Sequence, residues 1–141
     1  EAQLLLAAIS WERNDVKRAR EYVTGLAESA HLPSELKGGA LILEADCAWA
    51  QGHIQDSERL YRRALQERLD REEASWATLQ LGNAARRGGQ PAVALDRYRE
   101  SHERWPDTFY GSQAGWFLRL AERAEEPKGA AKETGAVEDH G

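Results

Sequence analysis

The sequence predicts an all-α protein, a right-handed solenoid of antiparallel helical hairpins in which three repeats are followed by a closing helix. Three observations predict it. A small residue recurs at Ala7, Ala45 and Gly82, in steps of 38 and 37 residues. In the same register stand Asn14, Gly52 and Gly89, each where a helical apolar pattern stops. A second set of small residues follows at Ala19, Ser57 and Ala94, then Val23, Tyr61 and Tyr98, then Leu26, Ala64 and Ser101. Self-similarity at such a period marks stacked supersecondary units that bury a continuous core only together.

The small residues have a mechanical meaning. Two helices cross closely only where side chains are small, so Ala45 with Ser57, and Gly82 with Ala94, mark the contacts within hairpins. Gly52 and Gly89 permit the positive backbone angle that ends a helix and reverses the chain. Tyr61 and Tyr98 are large enough to fill the space between one hairpin and the next.

Breakers and caps then set the elements. The first helix spans about 2 to 12 and the second about 15 to 30. Pro33-Ser34 opens a third, closed by Gly52, and a fourth runs from about 53 to 69. Asp70 and Glu73 have the spacing of a capping box and open the fifth, which Gly88-Gly89 ends. Pro91 suits the first turn of the sixth, and Pro106 follows its end. A seventh helix covers about 109 to 125, and no strand is expected. Residues 126–141, from Glu126 through Pro127-Lys128-Gly129 onward, lack apolar periodicity and read as a linker or tail. The domain is therefore placed at 1–125.

Leu4, Leu5, Leu6 and Ile9 put four large aliphatics within six residues of the first helix. One hairpin partner cannot cover side chains pointing in so many directions, whereas the end of a repeat array normally carries a polar outer face. The expectation is a piece of a longer chain, or a first helix that docks on a partner through self-association.

Composition narrows the function. With 141 residues, 41% hydrophobic and 30% charged, the chain fits one globular domain. The net charge of -5, with no basic block, argues against a nucleic-acid partner. The apolar runs are too short for membrane insertion. Cys47 stands alone, so no internal disulfide is available, and it reads as a small buried helix residue. His31, His53, His102 and His140 are scattered without metal-ligand spacing, and neither Gly38-Gly39 nor Gly88-Gly89 lies between a strand and a helix as a phosphate loop would. No catalytic residue, metal site or cofactor is therefore expected.

Leu81-Gly82, Ala94, Tyr98 and Pro106 match in order the spacing of Leu-Gly, Ala, aromatic and Pro in the tetratricopeptide signature, and the chain resembles that family over about residues 1 to 125. The third repeat matches best. The second has Ser57 for the usual alanine, and the first has Val23 for the aromatic and His31 for the proline. The family repeat is shorter, so each linker here carries about three or four extra residues. Trp105-Pro106-Asp107-Thr108-Phe109-Tyr110, running into Ala114 and Leu118, is similar to repeat junctions of bacterial envelope members. The resemblance leaves cytoplasm and bacterial periplasm as the two compartments.

It also implies a site. In the family the first helix of each hairpin lines a concave groove. Carried over by position, that face holds Leu4, Ala8 and Trp11, then Ile42, Asp46 and Trp49, then Trp76, Leu79, Asn83 and Arg86. Trp116 and Leu120 follow on the closing helix. The tryptophans admit two readings, as groove anchors of the kind that dominate interfaces or as filler between hairpins; Trp105 reads as packing. Members that clamp a terminal carboxylate use polar and basic residues where this chain has Leu4, Ala8, Leu43, Trp76 and Gln80, and only Asn83 keeps a suitable type. The resemblance thus implies a non-catalytic module that binds a protein or peptide ligand, apolar side chains on the tryptophans and an acidic group toward Arg86 and Arg87. The alternative is a structural spacer or self-association segment of a larger repeat protein.

Overall fold

The structure, a computed structural model, describes residues 1–124. Among these, every regular element is a helix: α1 (Ala2–Glu12), α2 (Val16–Val23), a 3-10 turn (Leu26–Glu28), α3 (Ser34–Ala50), α4 (Ile54–Ala64), α5 (Arg71–Arg87), α6 (Pro91–Arg104) and α7 (Phe109–Ala124). Each helix packs on the next, and α1, α3, α5 and α7 also touch in succession. The seven helices thus pack in consecutive pairs, with the odd-numbered ones forming a row. The expected tail at 126–141, and residue 125 of the last helix, lie outside the described residues.

The three tight reversals are built alike. Asn14, Gly52 and Gly89 have φ of 61°, 80° and 72°. In each, the following amide donates back to the carbonyl five residues earlier: Asp15 to Ser10 at 2.9 Å, His53 to Ala48 at 2.8 Å and Gln90 to Ala85 at 2.9 Å. This is the left-handed termination that satisfies the last carbonyls of a helix. Asparagine substitutes for glycine in the first because it tolerates that conformation best among the other residues. The capping box forms as expected, with Asp70 accepting from the Glu73 amide and Glu73 from the Asp70 amide.

Two helices end earlier than periodicity suggests. α2 stops at Val23 because Gly25 takes φ 72° and its amide donates to the buried Glu44 side chain at 3.0 Å. Leu26, Ala27 and Leu32 still go into the core, from the 3-10 turn and the loop rather than from a helix. α4 stops at Ala64 so that the chain can cross Gly38, where an added Cβ would meet Leu69 Cδ2 at 2.5 Å and the Arg68 carbonyl at 2.8 Å. The extra linker residues therefore cover α3.

The core follows the repeat. Ala7, Ala19, Ala45 and Ser57 are fully buried, and Gly82 and Ala94 are buried as well. Tyr61 and Tyr98 are buried too. Tyr98 lies on Gly82 within its own hairpin and stacks on Phe117 of α7 at 5.3 Å, so one ring joins three helices. Cys47 is buried, and that burial pushes its thiol up to about 11. At the opposite end of the chain, Leu5, Leu6 and Ile9 are exposed on α1.

Candidate binding cleft

A cleft of about 710 Å³ opens along the row of odd-numbered helices. α5 supplies most of it from one face, Glu72 and Glu73 in its first turn, then Trp76, Gln80 and Asn83, then Arg86 and Arg87 at its end. These steps of three and four residues are the surface neighbours of an α-helix. α3 adds Ile42, Asp46, Trp49 and Ala50 by the same steps, α1 adds Trp11, and α7 adds Tyr110.

The floor is a continuous chain of side-chain hydrogen bonds. The Tyr98 hydroxyl donates to Asn83 Oδ1 at 2.6 Å, and Asn83 Nδ2 donates to Gln80 Oε1 at 2.8 Å. Gln80 Nε2 donates to the Tyr61 hydroxyl at 3.5 Å, and that hydroxyl donates to Asp46 Oδ1. Trp76 Nε1 reaches the same oxygen at 3.0 Å. Burial drives the Asp46 carboxyl up to about 6, although the bonds from Tyr61 and Trp76 pull the other way. Burial and the neighbouring Asp46 push the Tyr61 hydroxyl up.

The network repeats with the sequence. Asp46 with Tyr61, and Asn83 with Tyr98, are each 15 residues apart and occupy equivalent places in successive hairpins. In the first hairpin those places hold Ala8 and Val23, so the bond has no counterpart there.

The cleft is polarised. Glu72 and Glu73 stand at the N-terminus of α5 and Arg86 and Arg87 at its C-terminus, roughly 20 Å apart at 1.5 Å per residue. This order complements the helix dipole, which by itself favours acids first and bases last. Part of each side chain has structural work: Glu72 Oε1 accepts the Phe109 amide at 3.2 Å, and the Arg87 guanidinium lies 5.2 Å from the Trp49 ring centre. Arg86, which lines the cleft, has its guanidinium 5.2 Å from the ring centre of Phe117, a residue outside the lining. Trp76 packs on Tyr110 with ring centres 4.7 Å apart.

Of the residues that the sequence pattern assigned to the groove, Trp11, Ile42, Asp46, Trp49, Trp76, Asn83 and Arg86 line this cleft. Two do not. Leu79 is 1% exposed and belongs to the core formed with Ala94, Tyr98, Ala114 and Leu118, because α6 and α7 close over that side of α5. Trp116 is 51% exposed and lies with Phe117 and Leu120 in a separate apolar groove between α6 and α7. Six residues beyond Tyr110, it is turned by roughly 240° around the helix axis. Trp49 and Trp76 are half-buried: they pack against the core and also line the cleft. Trp105 is half-buried under the Arg104 guanidinium, 4.6 Å from its ring centre.

Sequence reasoning missed Tyr110 and the two glutamates. Glu72 and Trp76 are one helical turn apart, a spacing that could have found the former; nothing in the spacing connects Tyr110 to α5. No protein-family model matches the sequence, and no curated protein matches it.

Proposed function

We propose that the chain is a tetratricopeptide-type repeat, its hairpins wound into a right-handed solenoid, that binds a peptide or helix of a partner protein without catalysis. One observation carries this reading. Trp11, Trp49 and Trp76, supplied by three different hairpins, line one open cleft together with Ile42. Half-exposed aromatics gathered in a concavity are what interface anchors require, since they bring large area at low entropic cost. Support for a non-catalytic role comes from the floor: the Tyr61 hydroxyl donates to Asp46, but burial and that carboxylate hold its proton more tightly than usual, so it is not an activated nucleophile, and Gln80, Asn83 and Tyr98 are engaged with one another. The partner lays apolar side chains on the tryptophans and an acidic group toward Arg86 and Arg87.

A pull-down from the source cell with wild type, Trp49→Ala and Trp116→Ala tests this. A partner retained by Trp116→Ala and lost with Trp49→Ala is the expected result. A partner indifferent to Trp49 removes the cleft from the explanation.

A second reading, a spacer or self-associating segment, is favoured by the apolar side chains at both ends. Leu5, Leu6 and Ile9 are exposed on α1, and Phe109, Trp116 and Leu120 on α7. Burial of such faces between copies would join repeats end to end.

A further inference from the structure

Asp46 and Asn83 do the same geometric job. Each accepts a tyrosine hydroxyl from the second helix of its own hairpin, and Asn83 does so as a neutral amide at 2.6 Å. An amide oxygen would also accept the Trp76 indole proton. Neither bond therefore requires a charge at position 46, yet a carboxylate stands there, largely desolvated. Both donors go to Oδ1. Every buried side-chain nitrogen and oxygen among the described residues has a hydrogen-bond partner, so Oδ2, which has none, is not fully buried, and Asp46 lines the cleft.

No lysine or arginine of the described residues pairs with Asp46; their ion pairs lie elsewhere, such as Arg20 with Asp56 and Arg62 with Glu58. The nearby Arg87 lies over Trp49 instead. The cleft that Asp46 lines also holds Trp11, Trp49, Trp76 and Tyr110, ring types that attract cations, and Glu72 and Glu73, which add negative charge. A desolvated carboxylate in a cleft lined with indoles, with one oxygen not fully buried and no cation of its own, is complementary to a cation brought from outside.

We propose that the cleft accepts a lysine or arginine side chain of its partner, its charge on Asp46 Oδ2 and its methylene stem between the tryptophan rings. This rests on the cleft being the binding surface. It makes the preferred ligand a segment with a basic residue toward Asp46 and an acidic one toward Arg86 and Arg87, and it fixes the direction in which the segment lies.

The groups that face Asp46 are Tyr61 from α4, Glu72, Glu73, Arg86 and Arg87 from α5, and Tyr110 from α7; α1 contributes Trp11, which does not titrate. Of these acids Asp46 is the deepest, and with its carboxyl at about 6 it is half-protonated there. Binding of a basic peptide should weaken as pH falls from 7.5 to 5.

The test is selection of a phage-displayed random 12-residue peptide library on the wild-type protein, followed by titration of labelled synthetic peptides. Peptides whose binding is lost with Trp49→Ala are expected to share one lysine or arginine. Its replacement by norleucine, or Asp46→Asn in the protein, should each weaken binding roughly tenfold or more, as for other hydrogen bonds to charged groups. The two changes together should cost little more than either alone. Cleft-dependent peptides that share no basic residue, or that bind Asp46→Asn as tightly as wild type, overturn the proposal and leave the cleft reading standing. Selected peptides indifferent to Trp49→Ala, or no enrichment at all, sink the cleft reading and the proposal with it. The norleucine peptide uses the unmodified protein, so the test survives even if Asp46→Asn folds poorly.

Discussion

Tyr98 lies flat against Gly82: a Cβ built on that glycine would stand 2.6 Å from Cε1 of the ring. The same ring is stacked on Phe117, so it cannot retreat without disturbing α7. Gly82→Ala should therefore destabilise the fold, even though alanine is the better helix former by about 1 kcal/mol. Overpacking of this kind costs roughly 1–3 kcal/mol, and with the ring unable to retreat the cost falls in the upper part of that range, for a net loss of up to about 2 kcal/mol. Urea denaturation followed by circular dichroism measures it. A variant as stable as wild type would mean that the α5–α6 crossing is looser than the structure has it.

Asp46→Asn should raise stability near neutral pH. The folded carboxyl stands at about 6 against an ordinary 3.8. The folded state thus holds its proton more tightly than the unfolded chain does, and stability falls as pH rises from about 4 to 6. Above that range the penalty is constant, on the order of 2–3 kcal/mol for a shift of about two units. Asparagine removes the penalty and keeps an acceptor for Tyr61 and Trp76. Melting temperatures of both proteins between pH 4 and 8 should converge at the acid end and diverge toward neutrality. Parallel curves would contradict the desolvation of Asp46.

Trp49→Ala should change two quantities together. The side chain is half-buried and packs on the core cluster around Leu41, Leu60 and Tyr61. Truncation of a fully buried tryptophan costs about 3–5 kcal/mol, so a half-buried one should cost about 2 kcal/mol. Loss of partner affinity should be of similar size, that of an interface hot spot. Calorimetric titration below the melting range of the variant separates the two effects. Full affinity in the folded variant would remove Trp49 from the interface.

The apolar end at α1 gives a prediction about association. Leu5 is 62% and Ile9 39% exposed, and both project from the first helix. If copies meet there, light scattering should show a mass that rises with concentration, and the double change Leu5→Lys and Ile9→Lys should return it to that of one chain. A strict monomer at all concentrations would leave the spacer reading without its observation.

The parts of this fold that were legible in the sequence are those fixed by local chemistry. Asn14, Gly52 and Gly89 announce the reversals, and Asp70 with Glu73 announces a helix start, because each acts within a few residues of itself. Gly25 was not legible as a break, since Leu26 and Ala27 continue the apolar period beyond it and its partner Glu44 lies on α3. The site divides in the same way. Trp11 and Trp49 occupy one register and face one cleft. Leu79 and Gln80 are adjacent on α5, a helix buried around most of its circumference. Which of the two meets the cleft is decided by where α6 and α7 lie, and periodicity along α5 carries no trace of that. Trp116 lies off the cleft for a related reason: the rotation of α7 about its own axis is set by its packing on α6 and α5, and spacing along α7 does not record it.

The hydrogen-bonded floor has a mechanical consequence. Tyr98, Asn83, Gln80, Tyr61, Asp46 and Trp76 form a brace that runs across the repeats, from α6 through α5 to α4 and α3. Stacked hairpins joined only by apolar contacts can slide and flex like vertebrae, since dispersion has little directionality. Directional bonds between successive units lock their relative pitch. Over the span of these bonds the curvature of the cleft is thereby set by the chain itself, and any ligand taken there would meet a surface already ordered. The first hairpin, with Ala8 and Val23 in the corresponding places, lies outside the brace. It is tied to the second hairpin by other directional bonds, the Gly25 amide on Glu44 and Arg20 on Gln51 and His53, so Trp11 is positioned by links that do not pass through the floor of the cleft.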